Sequence, residues 1–422
     1  MTVSALADII RQQADILETS LPPHAYADEH GDPSLAVARS KLLEACDKLN
    51  HLVTGPIEWS GHRVHAALQY ACHFRLASYV PEDGTPITYD DLAQRAGVET
   101  SQCARVLQLL MTYHIFREPG TRIVAHNRNS RVLLDEDTGM AVEWLTQDSL
   151  RSSAFFTETR AAPRKWSGSR RSSSGDGQDE TSRIAPLGPT YAVDRHIASG
   201  SPRTAAEVTS TSGDRYARAM AGMAKRRQLS VEHLVHGFDW ASLPNGATIV
   251  DVGGGNGHYS KAIAEVNPGL NFVVQNLNTT AEEVTKKEGV ANLGGRLRFV
   301  EYDFFTPQPI THGDVYLLRR ILHLHSDGDA VDILRSQLSG IRKPGARIVV
   351  MDNIAVSSGT LSTLEERQTR TLDIAMMALF NSVERDVDSW RALFKAADPK
   401  LKLVNVIKPL GSALAVMEVC IE

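Results

Sequence analysis

The run Ala247–Leu277, ATIVDVGGGNGHYSKAIAEVNPGLNFVVQNL, constrains this chain more than any other stretch. Thr248–Val252 is short, apolar and rich in β-branched residues, as a buried strand requires. Gly253, Gly254, Gly255 and Gly257 follow, and then Tyr259, Ile263 and Val266 recur at helical spacing. Pro268-Gly269 stops that helix, and Leu270–Val274 reads as a second strand. Strand, glycine turn, helix and strand form the βαβ unit of a doubly wound α/β sheet, which takes its ligands at the carboxyl ends of the strands. Glycine in that turn lets the backbone approach a ligand that a Cβ would hold off.

Composition narrows the surroundings of this unit. A chain of 422 residues exceeds one ordinary core and predicts two or three domains. A formal charge of -5 speaks against a nucleic-acid partner. Cys46, Cys72, Cys103 and Cys420 show neither Cys-x-x-Cys nor Cys/His spacing, so neither a metal site nor a disulfide framework is expected. The opening MTVSALADIIRQQADILETS carries acidic residues on a helical period, unlike a signal peptide or a membrane span. A cytoplasmic protein without a membrane partner is the expectation.

Leu6, Ile9, Ile10, Ile16 and Leu17 share a helical face over residues 3–20, and Ser34–Val53 repeats the pattern. Both segments suit core helices or a dimer arm. Residues 62–134 read as helix, helix, helix and wing: His65–Tyr79, a helix capped by Thr88 and ended by Gly97, Ser101–Tyr113, and a strand at Arg122–Ala125. This winged-helix layout is one that can dock on DNA, but its third helix has Arg105 as its single basic residue. Residues 163–213 include PRKWSGSRRSSSGDGQDETSRIAPLGP, whose Ser, Gly and charge content predicts a loop outside any core. Order returns at Asp214–Trp240, where Met220, Met223, Leu234 and Val235 mark apolar helical faces.

Beyond the glycine turn, Leu297–Glu301 reads as a strand running into Tyr302-Asp303-Phe304-Phe305, and a carboxylate beside an aromatic suits a purine. Asp314–Leu318 is the next strand and leads into Arg319-Arg320-Ile321-Leu322-His323-Leu324-His325. Arg347–Met351 ends at Asp352. Leu364–Phe380 is helical, Asn381–Arg385 turns and Trp390–Ala397 is helical, before Lys402–Lys408 and Ala413–Cys420 close an antiparallel hairpin.

The glycine spacing distinguishes cofactors. A dinucleotide fingerprint needs a glycine at His258 or Ser260, which leaves NAD a weak claim. Asp251-Val252-Gly253-Gly254-Gly255-Asn256-Gly257 instead resembles motif I of class I S-adenosylmethionine (SAM) methyltransferases. Together with LAQRAGVETSQCARVLQLLMTYHIFREP, VAHNRNSRVLL and Ile321-Leu322-His323, the chain resembles the plant and fungal small-molecule O-methyltransferases, almost continuously from Ala247 onward. The resemblance implies a Rossmann-like doubly wound sheet with an N-terminal all-α winged-helix dimerisation domain. It divides the chain into a helical dimer arm at 1–58, the winged-helix domain at 59–150, a remodelled lid at 151–213 and a SAM-binding domain at 214–422. Two readings stand for the lid, a remodelled cover or an erroneous gene model.

The resemblance further implies SAM held by Asp251, Gly253, Gly255, Gly257, Asn276, Asp303, Phe304 and Arg319. His323 matches the family's general base, and Asp352 and Glu384 match the acidic residues that orient it. A histidine suits that task because its pKa lies near working pH. The implied activity is methyl transfer to a hydroxyl of an aromatic, polyketide-like secondary metabolite by a homodimer. Two residues depart from the pattern. Asn276 stands where the family has an acid, at a loss of about 1–2 kcal/mol of charge-assisted bonding. Leu324 and His325 replace an aspartate and a tryptophan. Proteins of this fold that close rings without methylating drift around this same histidine, so a cyclase using His323 and the cation Arg319 is the alternative.

Overall fold

Two compact units make up the computed structural model, which describes residues 2–20, 33–53, 63–154, 156–157, 218–277 and 293–421. The Ser/Gly-rich segment at 163–213 lies outside the described residues, as does all but the start of the expected lid. Described residues of Met1–Phe74, Tyr79–Asn127 and Val356–Leu372 form the first unit, and those of Arg75–Ser78, Arg128–Ala355 and Asp373–Glu422 the second. This division departs from the sequence boundaries at 58 and 150. Residues 128–150 join the second unit because Asp135 and Glu136 hold Lys225 and Arg218 at 2.7 and 2.8 Å, with Gly222 packed directly against the Asp137 carbonyl.

In the first unit the helices Val3–Ser20 and Pro33–Val53 pack on each other, burying Leu6, Leu35, Ala38 and Ala45. Thr88 caps the helix Tyr89–Ala96 by accepting from the Asp91 amide, and Gly97 ends it in the left-handed conformation at φ 67. The next helix, Thr100–Thr112, takes its cap from Glu99 rather than from a serine. Leu92, Cys103, Leu107 and Leu110 face inward from this pair. The block is not all-helical: β1 (Ile87–Thr88), β2 (Arg117–Gly120) and β3 (Ile123–Ala125) form an antiparallel sheet in the order β1-β3-β2. The expected wing strand is therefore the central strand. The helix expected at His65–Tyr79 is broken at Arg75, whose φ of 50 separates Arg63–His73 from Leu76–Tyr79.

The second unit is built on seven strands: β4 (Thr248–Val252), β5 (Asn271–Asn276), β6 (Leu297–Glu301), β7 (Val315–Arg319), β8 (Arg347–Asp352), β9 (Leu401–Ile407) and β10 (Ala415–Ile421). Their order is β6-β5-β4-β7-β8-β10-β9. The first five run parallel, and β10 pairs antiparallel with both β8 and β9. The near-continuous apolar runs of β4, β7 and β8 fit strands covered on both faces. One face packs Ile249, Phe272, Leu317 and Met351 into a core with Trp240 and Ile263, and the other packs Val250, Leu318 and Val350 with Trp390 and Phe394. The sheet thus presents the carboxyl ends of β4, β5, β6, β7 and β8 along one edge, with the strand order reversing at β4 and β7. Among the described residues no helix is long and apolar enough to cross a membrane, no disulfide forms, and no cluster of His, Cys, Asp or Glu suits a metal ion.

Candidate active site

The glycine turn after β4 explains its own sequence. Gly253, Gly255 and Gly257 all have positive φ, at 71°, 58° and 74°. A Cβ on Gly253 would stand 2.6 Å from Ile321 Cδ1, and one on Gly257 would stand 2.9 Å from the Phe299 ring. At Gly255 no atom lies within 4 Å, so a side chain there would project into open space beside the turn. Asp251 does not face that space. It is buried in β4, accepts a 2.6 Å bond from Ser260 Oγ, and has its pKa raised by burial to about 6. Asp251 therefore props the turn from within; an added Cβ at Gly254 would strike its carboxylate.

The neighbouring strand ends bring three further positions to the same edge. Asn276 closes β5 in register with Glu301 of β6, and its carbonyl accepts from the Tyr302 amide at 3.1 Å. Asp303 and Phe304 follow β6 and are half-buried. One Asp303 oxygen accepts from the Phe305 amide at 3.0 Å, and a carboxylate retains further acceptor capacity. Arg319, at the end of β7, lays its guanidinium 3.6 Å from the Tyr259 ring centroid and donates to the Leu229 carbonyl at 3.4 Å. Its buried Nε has no partner, and burial lowers its pKa to about 10.

These residues fit SAM. The space at Gly255 admits a ligand against the backbone, Asp303 supplies an acceptor for an amino group, and Phe304 supplies an aromatic surface for a purine. Asn276 supplies an amide where charge-assisted ribose bonds would need an acid.

Across the edge, His323, Asp352 and Glu384 meet. His323 lies in the short turn Leu322–Leu324 after β7, Asp352 ends β8, and Glu384 follows the helix Thr363–Phe380. All three are buried. Glu384 Oε1 is 3.1 Å from His323 Nδ1, and Asp352 Oδ1 is 3.8 Å from Nε2. The His323 amide donates to the other Asp352 oxygen at 3.3 Å. Burial raises the Asp352 pKa to about 6. Nε2 is buried without a hydrogen-bond partner and faces Asp352 Oδ1 at 3.8 Å, so the ring is held by a hydrogen bond through Nδ1 alone.

Two residues that the sequence did not single out fix this turn. Ser382 Oγ donates to the carbonyls of both His323 and His325. Buried Arg385 donates to the carbonyls of Leu322 and His325 at 3.0 and 2.9 Å and holds Asp327. Their only sequence signal was a place in the turn Asn381–Arg385. His325 is buried edge-on to Phe304 and Phe305, with ring centroids 5.6 and 5.5 Å away. Burial lowers its pKa to about 4, which leaves it neutral near pH 7. Leu324 makes no polar side-chain contribution.

A family model described as an O-methyltransferase domain matches residues 196–398, and an O-methyltransferase dimerisation domain matches residues 59–136. The chain is 35% identical over 411 residues to O-methyltransferase VdtC of Byssochlamys spectabilis, covering 94% of this chain and 88% of VdtC. In fold it is similar to OxaC, with a TM-score of 0.75 at 20% identity, covering 100% of this chain and 99% of OxaC. It is similar too to LepI, solved with SAH and a substrate analogue, with a TM-score of 0.71 at 17% identity and 99% of each chain covered.

Proposed function

The chain belongs to the O-methyltransferase family, and on that premise we propose that it methylates a phenolic hydroxyl of an aromatic, polyketide-like metabolite, with His323 as general base. It is a SAM-dependent O-methyltransferase of secondary metabolism, a homodimer with a small-molecule substrate. SAM, when bound, supplies an electrophilic methyl group on a sulfonium.

The His323–Glu384 pair carries the proposal. With Nδ1–H donated to Glu384, the lone pair lies on Nε2, the atom without a partner. Nε2 takes the proton of the acceptor hydroxyl, and the oxygen becomes the nucleophile. Glu384 stabilises the resulting imidazolium across 3.1 Å, and Asp352 adds its field from 3.8 Å. Ser382 and Arg385 keep the turn from swinging by holding its carbonyls. An imidazole base has a smaller pKa mismatch with a phenol, whose pKa is about 10, than with a far less acidic aliphatic alcohol. That difference supports an aromatic acceptor. Asn276, Asp303, Phe304 and the glycine turn serve the cofactor, and Arg319 braces the turn through Tyr259.

Leu324 and His325 favour a second reading, ring closure without methyl transfer, in which His323 acts as acid or base on a substrate that is only isomerised. Incubation with methyl-labelled SAM and aromatic polyketide phenols tests the choice. Label in the product, with one equivalent of S-adenosylhomocysteine (SAH), supports methylation. Turnover to an unlabelled isomer overturns it.

A further inference from the structure

Three glutamines form a buried chain of amides beneath the cofactor edge. Gln275 precedes Asn276 in β5, Gln308 follows the Asp303–Phe305 turn, and Gln337 lies on the helix Asp327–Gly340. Their exposures are 0, 2 and 0%. Gln275 and Gln308 exchange two hydrogen bonds, Nε2 to Oε1, at 2.7 and 2.9 Å. Gln308 Nε2 also donates to Gln337 Oε1 at 2.7 Å, and Gln308 Oε1 accepts from the Ile310 amide at 3.0 Å. Gln337 Nε2 donates to Tyr302 Oη at 3.1 Å and to the Phe304 carbonyl at 3.2 Å.

The chain has a direction. The Ile310 amide requires Gln308 Oε1 and the Phe304 carbonyl requires Gln337 Nε2, so no glutamine can flip alone without breaking its neighbour's bonds. It begins beside Asn276 and ends on the Phe304 carbonyl, two positions that face the same ligand edge. Supporting bonds run parallel: Ser336 Oγ donates to the Phe305 carbonyl at 3.0 Å, and the Gln308 amide donates to the Ser336 carbonyl at 3.0 Å. Gly340 packs so closely on the Gln308 carbonyl that a Cβ there would overlap it. The chain meets the backbone at the Ile310 amide and the Phe304 carbonyl; the bonds among the three glutamines satisfy only one another, and apolar side chains of like size would fill that volume.

We infer that Gln275, Gln308 and Gln337 are positioning residues that set the separation between Asn276 and Phe304, and thereby the affinity for SAM. This rests on the reading of Asn276 and Phe304 as cofactor residues. The helix that follows His323 carries Gln337, so the same clamp ties the cofactor side of the edge to the element beside the base.

Calorimetry with SAH tests the clamp in Gln337→Met and in the triple variant Gln275→Met, Gln308→Met, Gln337→Met. Gln337→Met should weaken SAH binding about ten-fold and lower the melting temperature. The triple variant leaves no glutamine amide stranded, although the Ile310 amide and the Phe304 carbonyl still lose their partners, so its melting temperature should recover part of the loss seen in Gln337→Met. Its SAH affinity should remain about ten-fold weaker. Recovery of affinity along with stability overturns the proposal. A double-mutant cycle with Phe304→Ala provides a readout in single-site variants: the losses from Phe304→Ala and Gln337→Met should overlap, and full additivity also overturns it. Wild-type protein that binds no SAH would instead remove the cofactor reading on which the clamp rests.

Discussion

His323 Nδ1 stands 3.1 Å from Glu384 Oε1, and these two buried side chains come from positions 61 residues apart. Their meeting depends on Asn381, whose φ of 54 turns the chain back at the end of the helix Thr363–Phe380. The pair fixes which imidazole nitrogen carries the proton, so the proposed base depends on both residues. His323→Gln should lower methyl transfer by about 10²–10⁴-fold while leaving SAH affinity unchanged. Glu384→Gln should lower it less, because an amide still accepts the Nδ1 proton but no longer stabilises the imidazolium by its charge. Radiolabel transfer and SAH calorimetry on both variants check this, and wild-type rates in His323→Gln would sink the base assignment.

Arg385 offers a stability test of the same turn. Its guanidinium satisfies the buried carbonyls of Leu322 and His325 and holds Asp327. Arg385→Met leaves both carbonyls without that donor, at about 1–3 kcal/mol each. Ser382 continues to serve the His325 carbonyl, so the lower end is expected there. Urea unfolding of the variant should show a fall of about 2 kcal/mol. An unchanged midpoint would mean that the bonds contribute nothing net.

Asn276 gives a prediction of opposite sign. Replacing an amide by a carboxylate at the end of β5 restores charge-assisted bonding to a ribose hydroxyl. Asn276→Asp should tighten SAM binding about ten-fold, as calorimetry would show. Weaker binding would place Asn276 away from the ribose.

The sequence made β4, β5, β6, β7 and β8 legible because buried parallel strands are short apolar runs, and β4 was marked by its glycine turn. His323, Asp352 and Glu384 were singled out by the resemblance to the family, with His323 also standing after a strand, and the structure brings the three side chains together. Local pattern could not show which face a polar residue takes. Gln308 and Gln337 look like ordinary surface glutamines in the sequence, and only the approach of the helix Asp327–Gly340 to the Asp303–Phe305 turn buries them. The packing of residues 128–150 was equally hidden, since it rests on ion pairs of Asp135 and Glu136 with Lys225 and Arg218, some 80–90 positions on. The break at Arg75 had no proline or glycine to announce it.

The matched dimerisation domain predicts a homodimer at micromolar concentration. Exposed Val3, Ile16, Val37, Leu43 and Leu52 lie on the two N-terminal helices and are apolar enough to seek a partner. Light scattering should give twice the chain mass of 46.2 kDa, and removal of residues 1–58 should weaken association. A monomer in the intact chain would contradict it.

The dependence of stability on pH isolates His325. Burial lowers its pKa from 6.5 to about 4, so between those values the unfolded chain binds a proton that the folded chain refuses. Stability contributed by the neutral ring is therefore full above pH 6.5 and declines as pH falls toward 4. Buried Asp251 and Asp352 act with the opposite sign. Their pKa values rise from 3.8 to about 6, so the folded chain holds protons that the unfolded chain has lost, and stability declines as pH rises through that window. The two slopes partly cancel in the wild type between pH 4 and 6. His325→Phe removes only the first, because Phe keeps the edge contacts to Phe304 and Phe305 and His325 Nδ1 has no partner to lose. Urea midpoints measured from pH 7.5 down to 4.5 should show the variant gaining on the wild type as the medium becomes more acidic. A difference that stays constant across that range would show that His325 takes up its proton equally in the folded and unfolded chain, and that the ring is not held neutral beside Phe304.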